Sequence, residues 1–411
     1  MQLVEQHIIK RLSKFYKPID EMAYKSKNLY NATLYAVRQH FFNTGHYINY
    51  YSLQKQFQDN KQADYVALPA KISQWVMKMV DMNFKSFFIA NTAYKQCPNK
   101  FTGKPKIPKY LDKIKGRYLL TFTNQAISKK TLKHNLLKVS GLDNVELKTA
   151  LKHEQINQVR IVKRTDCYVI EIVYKVPDIE LKADNSNYAS VDLGINNLAA
   201  VTFNNDSPFI INGKPLKSIN HYYNKNKAKL QSQQINNKLC NKKKIIKITN
   251  KRNNKVKTYL HKASRMLVNQ LVSKNICTLV IGHTKYWKQD INIGKVNNQN
   301  FTQIPFNQFI SMIQYKCKLQ GINVLIQEES YTSKASFLDN DKIPVYKKND
   351  NKTYNFSGKR IKRGLYKSNA GRIVNADVNG SLNIMRKAIP NVTFTNGIQA
   401  CSTPVKLYVS K

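Results

Sequence analysis

Between Ala189 and Glu329 the apolar segments arrive in an order that few folds accommodate. "ASVDLGINNLAAVTF" (189–203) reads as a strand, a tight turn and a second strand. A long helical pattern, "NKKKIIKITNKRNNKVKTYLHKASRMLVNQLV" (241–272), follows it. Then come a buried-type strand "CTLVIGH" (277–283), a helix "PFNQFISMIQYKCKLQG" (305–321) closed by Gly321, and a strand "INVLIQEE" (322–329). Strand, strand, helix, strand, helix, strand is an α/β order, because parallel neighbours need a crossover long enough to hold a helix.

The chain upstream has a different texture. Residues 2–12 alternate weakly and predict a strand. After Pro18, the residues Ala23, Tyr30, Leu34, Val37 and Phe41 fall on one helix face, which breaks at Gly45. A second helix is predicted over 68–90, with Ile72, Trp75, Val76, Met79 and Met82 as its core-facing stripe. Residues 16–98 therefore read as a helical domain. "QVRIVKRTDCYVIEIVYKV" (158–176) reads as two strands with Val159, Ile161, Val169, Ile172 and Val173 on the apolar side. A β-rich domain is predicted over 99–184, completed by the first strand, and "IELKADNSNY" (179–188) is a polar linker. At 411 residues the chain is too long for one ordinary core, so two or three domains are expected.

Lys and Arg number 68 and Asp and Glu 24, a formal net charge of +44. A compact body with that charge repels itself unless an anion neutralises it, and nucleic acid is the expected partner. Residues 221–262 carry thirteen Lys or Arg and no acid. Lys242, Lys243, Lys244, Arg252 and Lys257 are candidate phosphate contacts there, with Tyr222, Tyr223, Tyr259 and His261 as stacking partners. The six cysteines are isolated and form no CxxC pair, which points away from a disulfide framework and toward a reducing, cytoplasmic setting. The N-terminus has no apolar signal-peptide core, and no apolar run is long enough to span a membrane. Neither a phosphate-binding GxxxxGK[ST] loop nor a Gly-rich dinucleotide loop occurs, so an ATP-driven motor and a dehydrogenase are disfavoured.

Acids are scarce, yet four stand at the ends of apolar elements. Asp192 ends "YASVD", Glu328 and Glu329 end "INVLIQ", and Asp377 opens "DVNGSLNIMRKAI". Taken singly each has an ordinary reading: Asp before Gly is a turn residue, Asp at a helix start a cap, and paired Glu an exposed strand end. Taken together they suit two-metal phosphodiester cleavage, which needs carboxylates from several elements to hold Mg²⁺ or Mn²⁺ through hard oxygen ligands.

"SVDLGINNLAAV", "YTSKASFLD" and "NADVNGSLNI", in this order, resemble the RuvC-type nuclease half of TnpB proteins. These are RNA-guided nucleases encoded by bacterial insertion sequences and relatives of the type V CRISPR effectors. "LPAKISQWVMKMVDMNFKSFF" and "KPKIPKYLDKIKGRYLLTFTNQAI" resemble the family's N-terminal half. The resemblance implies a multidomain α+β fold. It places a β-barrel wedge domain at 1–15 and 99–184, with a helical recognition lobe inserted at 16–98. It places an RNase H-like α/β (RuvC) nuclease domain at 185–332 and 373–411, interrupted at 333–372 by a target-nucleic-acid-binding insertion like a zinc ribbon. It implies a guide RNA from the element's end, double-stranded target DNA with a short adjacent motif, and Mg²⁺ or Mn²⁺ as cofactor. Asp192 takes the place of the first catalytic aspartate and Asp377 that of the last.

Two departures stand out. Most relatives carry their catalytic glutamate at the end of the strand that here reads "CTLVIGH", where this chain has Gly282. The expected replacement is Glu329, with Glu328 close behind and Asp290 a weaker substitute. One of the two glutamates should face the site, the other should meet solvent or a lysine, and an acid restored at 282 should partly substitute. The ribbon's four cysteine positions hold Ser336, Asp339, Lys367 and Ala370, so no zinc is expected. "GKRIKRGLYKSNAGR" (358–372) becomes a basic hairpin, with Lys359, Arg360, Lys362 and Arg363 directed at nucleic acid. The competing function is a nuclease-dead, RNA-guided DNA-binding repressor.

Overall fold

The computed structural model describes residues 1–237, 242–284, 294–346, 353–395 and 401–409. It divides into two units, Met1–Pro177 and Asp178–Lys411.

In the first unit, strand β1 (Gln2–Lys10) leads into helix α1 (Tyr16–Thr44). Gly45 ends α1 at φ 73°, donating its N–H to Phe41 O, a left-handed cap that a side chain would strain. Two short helices, α2 (Tyr50–Asp59) and α3 (Ala63–Val66), precede α4 (Ala70–Gln96). There follow β2 (Leu120–Thr123), α5 (Lys129–Leu132), β3 (Leu136–Leu137), β4 (Leu147–Lys148), β5 (Ile156–Lys163) and β6 (Cys167–Lys175). The main sheet has the order β1-β6-β5-β2 and is antiparallel, with Gln2 opposite Lys175 and Lys10 opposite Cys167. No pairing among the described residues closes it into a barrel.

Helices and sheet share one core. The buried stripe of α4 is Ile72, Val76, Met77, Val80 and Phe84, rotated from the expected one, and Met82 is exposed. Phe84 sets the phase, because it joins Tyr47 and Phe88 in an aromatic cluster. On β6 the core face is Tyr168, Ile170 and Ile172, which leaves Val169 on the opposite face. Tyr168 donates its hydroxyl to Asp20, which also pairs with Arg117 at 2.8 Å and with Lys163 at 3.5 Å.

The second unit is built on a six-stranded sheet. Its strands are β7 (Tyr188–Leu193), β8 (Asn197–Phe203), β9 (Phe209–Asn212), β10 (Thr278–Gly282) and β11 (Asn323–Gln327), completed by an edge strand near the C-terminus. Helices α6 (Lys214–Asn237) and α7 (Lys242–Ser273) join β9 to β10, and α8 (Lys295–Thr302) and α9 (Phe306–Lys318) join β10 to β11. A three-stranded meander follows, β12 (Lys359–Lys362), β13 (Leu365–Lys367) and β14 (Ile373–Asn375), leading into α10 (Ala376–Ala388). The edge strand is β15 (Val405–Leu407), and the sheet order is β11-β10-β7-β8-β9-β15. β7, β10 and β11 run parallel, whereas β7, β8 and β9 are antiparallel in turn. α10 lies on the sheet through a buried hydroxyl triad, in which Ser190 donates to Ser381 O at 2.6 Å and lies 2.7 Å from Thr202 Oγ1. The whole is a mixed α+β fold. No helix among the described residues is long and apolar enough to cross a membrane.

Candidate active site

Asp192 lies near the C-terminal end of β7, paired across the sheet with Ala200. Val191 pairs with Ile281 of β10, so Gly282 arrives abreast of Asp192 at the ends of two parallel strands. Gly282 in turn pairs with Gln327, the last residue of β11. The chain therefore reaches Glu328 and Glu329 just past the strand end, and the two side chains part there.

Glu329 turns inward. Its Oε2 stands 3.0 Å from the position a Cβ on Gly282 would take. Burial, and then the charge of Glu328, push its carboxyl up to about 7, against Lys387 and the Thr284 amide. Glu328 turns the other way, to Lys387 at 2.6 Å, and accepts the Ser330 amide at 2.7 Å. Burial would raise Glu328, but Lys387 and Ser330 outweigh it and hold its carboxyl below the usual range.

Asp377 is the second residue of α10. The cap is Asn375, whose side chain accepts from the Asp377 and Val378 amides, so the Asp377 carboxylate is left for other work. It accepts from Asn197 Nδ2 at 2.6 Å and meets Arg360 at 3.5 Å. One turn along α10, a Cβ on Gly380 would stand 3.1 Å from Asp192 Oδ2, so the glycine lets the helix approach β7 closely. Burial, then the charges of Glu329 and Asp377, push Asp192 well above the ordinary carboxylate value, while Arg360 pulls it back.

Three of the four candidate acids thus face one place, and Glu328 stands apart on Lys387. Asn197, Gly380 and Arg360 belong to the same place. Asn197 and Gly380 were not singled out by sequence, although the "GINN" turn and the glycine one turn after Asp377 contained the signal. A Cβ at Gly282 would stand 2.4 Å from Ile384 Cδ1, so an acid introduced there requires that side chain to shift. Asp290 lies outside the described residues.

The basic candidates divide. Lys242, Lys243, Lys244 and Lys257 on α7, and Lys359, Lys362 and Arg363 on the meander, are exposed. Arg252 is not available in the same way: it donates to Asn220 Oδ1 at 2.7 Å and to Gln303 O at 2.8 Å, and lies over the Tyr223 ring. Its guanidinium fixes helix packing, and these bonds compete with the phosphate contact expected of it. Arg360 is exposed but directed at the carboxylates.

At the ribbon-like positions, hydrogen bonds occupy the corners. Asp339 Oδ2 accepts from Ser336 Oγ at 2.5 Å and from the Asn369 amide at 2.8 Å, and Asp341 accepts from the Ser336 amide at 2.7 Å. Asn379 and Asn383 of α10 donate to Ala335 O, and Asn383 also to Thr332 O, anchoring this turn beside the site.

The donor set around Asp192 is hard oxygen, and its members repel one another, a condition that a divalent cation relieves. Among the described residues no group of three or more His, Cys, Asp or Glu side chains is arranged so as to hold a metal ion. Mg²⁺ does not require such a group, since it keeps several waters and binds through one or two carboxylates plus substrate oxygens.

Residues 171–288 match the family described as "Probable transposase" (OrfB, IS605 type), and residues 306–384 match the Cas12f1-like TNB domain. A TnpB-like protein of Methanocaldococcus jannaschii is 27% identical over 154 residues, 35% of this chain and 54% of that protein, so the chain spans about half the length of this curated relative. Among solved structures, a Cas12f1–sgRNA–target DNA complex is similar with a TM-score of 0.35 and 14% identity, over 94% of this chain and 100% of that one. A CRISPR-Cas12f ternary complex is similar with a TM-score of 0.37 and 15% identity, over 92% and 82%. Two family matches in succession along the chain and a TnpB-like homologue agree: the chain is a TnpB-type relative of the type V effectors.

Proposed function

We propose that the chain is an RNA-guided DNA endonuclease of a transposable element, hydrolysing phosphodiesters at a RuvC-like site with Mg²⁺ or Mn²⁺. The observation that carries this reading is the convergence of Asp192, Glu329 and Asp377 from a strand end, a loop and a helix start. The strand order β9-β8-β7-β10-β11, antiparallel on one side and parallel on the other, supports an RNase H-like core. The net charge of +44 supports nucleic-acid partners: a guide RNA from the element's end and double-stranded DNA with a short adjacent motif.

Asp192, Glu329 and Asp377 would hold the metal. When bound, the cation would activate water and stabilise the leaving oxygen. Asn197 fixes the Asp377 carboxylate, Gly380 gives Asp192 its room, and Arg360 offers a cation to a phosphate brought to the carboxylates. Residues 1–15 with 99–184 would act as the wedge, 16–98 as the recognition lobe, 185–332 with 373–411 as the nuclease and 333–372 as the target-binding insertion. The protein would work in the cytoplasm on the nucleoid. The second reading, a guided binder that does not cut, rests on the missing acid at Gly282, and the Glu329 carboxylate beside that glycine weighs against it. The test is cleavage of a plasmid bearing a guide-matched target, by the parent and by Asp192→Ala. Loss of cutting with retained binding is expected, and cutting by the variant would overturn the assignment.

A further inference from the structure

The cleft between α7 and α9 has a volume of about 620 Å³ and is lined by His261, Lys262, Arg265 and Asn269 from one helix and Tyr315 and Lys316 from the other. Neither helix contains an Asp or Glu anywhere along its length. Lys316 is 3% exposed, and its Nζ donates to His261 O at 2.7 Å and to Ser264 Oγ at 2.6 Å. Both acceptors are neutral, and among the described residues no carboxylate is paired with this ammonium. A buried cation without a counter-charge is costly. The cost shows in its neighbours. Burial and Arg265 pull Lys316 down to about 8, and burial, Lys316 and Lys257 pull His261 below its usual value. Lys257, His261 and Arg265 recur every four residues, a column with a step of about 6 Å on one face of α7. Such a column gathers positive potential on one face of the helix.

We propose that the α7–α9 cleft is a phosphate-binding site, in which Arg265 and Lys316 hold a backbone phosphate of the nucleic-acid partner. The anion would complete the charge of Lys316 through the mouth of the cleft, where Arg265 is exposed. The site lies apart from the carboxylates, so the proposal rests on the nucleic-acid reading and not on cleavage.

The test uses the full chain and a fluorescein-labelled single-stranded RNA of mixed sequence, with anisotropy measured across a salt series. Arg265→Gln and Lys316→Met should each weaken binding several-fold and reduce the slope of log K against log salt by about 0.7, the loss of one phosphate contact. Lys318→Gln, outside the cleft and with its ammonium already paired with Asp178, should leave the slope unchanged. A second arm compares melting in inorganic phosphate and in chloride at equal ionic strength. A phosphate-dependent rise in the parent that Arg265→Gln abolishes, together with the RNA effect, shows that the cleft takes the phosphate group from either source. The RNA effect alone assigns it to the nucleic-acid backbone. Melting shifts without an RNA effect, or neither change, would overturn the proposal. Arg265→Gln, at an exposed position, keeps the test decisive if Lys316→Met fails to fold. Parent protein that binds no RNA would sink the proposed function, whereas RNA binding with unaltered slopes sinks only the cleft.

Discussion

Glu329 and Gly282 share one place in the molecule: the carboxylate oxygen of the first stands 3.0 Å from where a Cβ of the second would begin. A side chain at 282 and the inward turn of Glu329 would crowd each other, so one of them would have to give by a few tenths of an ångström. Ile384, 2.4 Å from the same point, closes the remaining space.

Glu329→Gln is therefore expected to reduce cleavage at least a hundredfold, because it removes charge at the centre while keeping size. Glu328→Gln should cut at close to the parent rate. It should cost about 1–2 kcal/mol of stability, since it strands Lys387, whose side chain is 7% exposed. Plasmid cleavage and denaturant unfolding separate the two effects. Gly282→Glu should not rescue Glu329→Gln unless Ile384→Ala makes room; rescue by Gly282→Glu alone would count against the geometry described.

Asp377→Ala should abolish cutting while guided binding persists, because the helix keeps its Asn375 cap. EDTA should stop the parent reversibly, with Mg²⁺ or Mn²⁺ restoring it. Gel-shift and cleavage assays on the same preparations check both outcomes.

The turns joined by Asp339 should stand without zinc. Elemental analysis is expected to find far less than one zinc per chain, and EDTA should leave residues 333–346 as protected from hydrogen exchange as before. Asp339→Ala should cost about 2 kcal/mol locally, the worth of two hydrogen bonds to a charged acceptor. Faster exchange at the Asn369 amide is the readout.

Asp20 supplies a pH dependence in the first unit. Burial opposes its ionisation, but Arg117, Tyr168 and Lys163 outweigh burial and hold its carboxyl below the ordinary aspartate value of 3.8. A lowered folded-state value contributes stability above pH 3.8, which is lost as pH falls through the folded value. Asp20→Asn should cost about 2 kcal/mol at pH 7. The gap between parent and variant should shrink as the pH is taken below 3.8, in urea unfolding followed at the Tyr168 face of the sheet.

The strand carrying Asp192 could be read from sequence because its neighbours Ala189, Val191 and Leu193 are buried in a pattern that only a sheet interior produces. The helix of Asp377 was equally legible from "NADVNGSLNI". The direction of Glu329 was legible only as the favoured one of two alternatives, because it follows the last paired residue of β11 and strand alternation no longer governs it. Arg252 and Arg360 look alike in a basic sequence, and their different tasks depend on Asn220 and Gln303 in one case and Asp377 in the other, partners distant along the chain. The rotated face of α4 has the same origin, since Phe84 packs on Tyr47, which lies outside the helix.

The hydrogen-bonded corner of Ser336, Asp339 and Asn369 has a chemical consequence of its own. Thiolate corners are vulnerable to peroxide, which takes sulfur up the oxidation ladder and ejects the ion it held. Oxygen and amide corners offer an oxidant nothing to attack. A chain built this way should keep these turns intact under oxidative stress and in cells starved of transition metals, where a sulfur-cornered zinc site would fall slack.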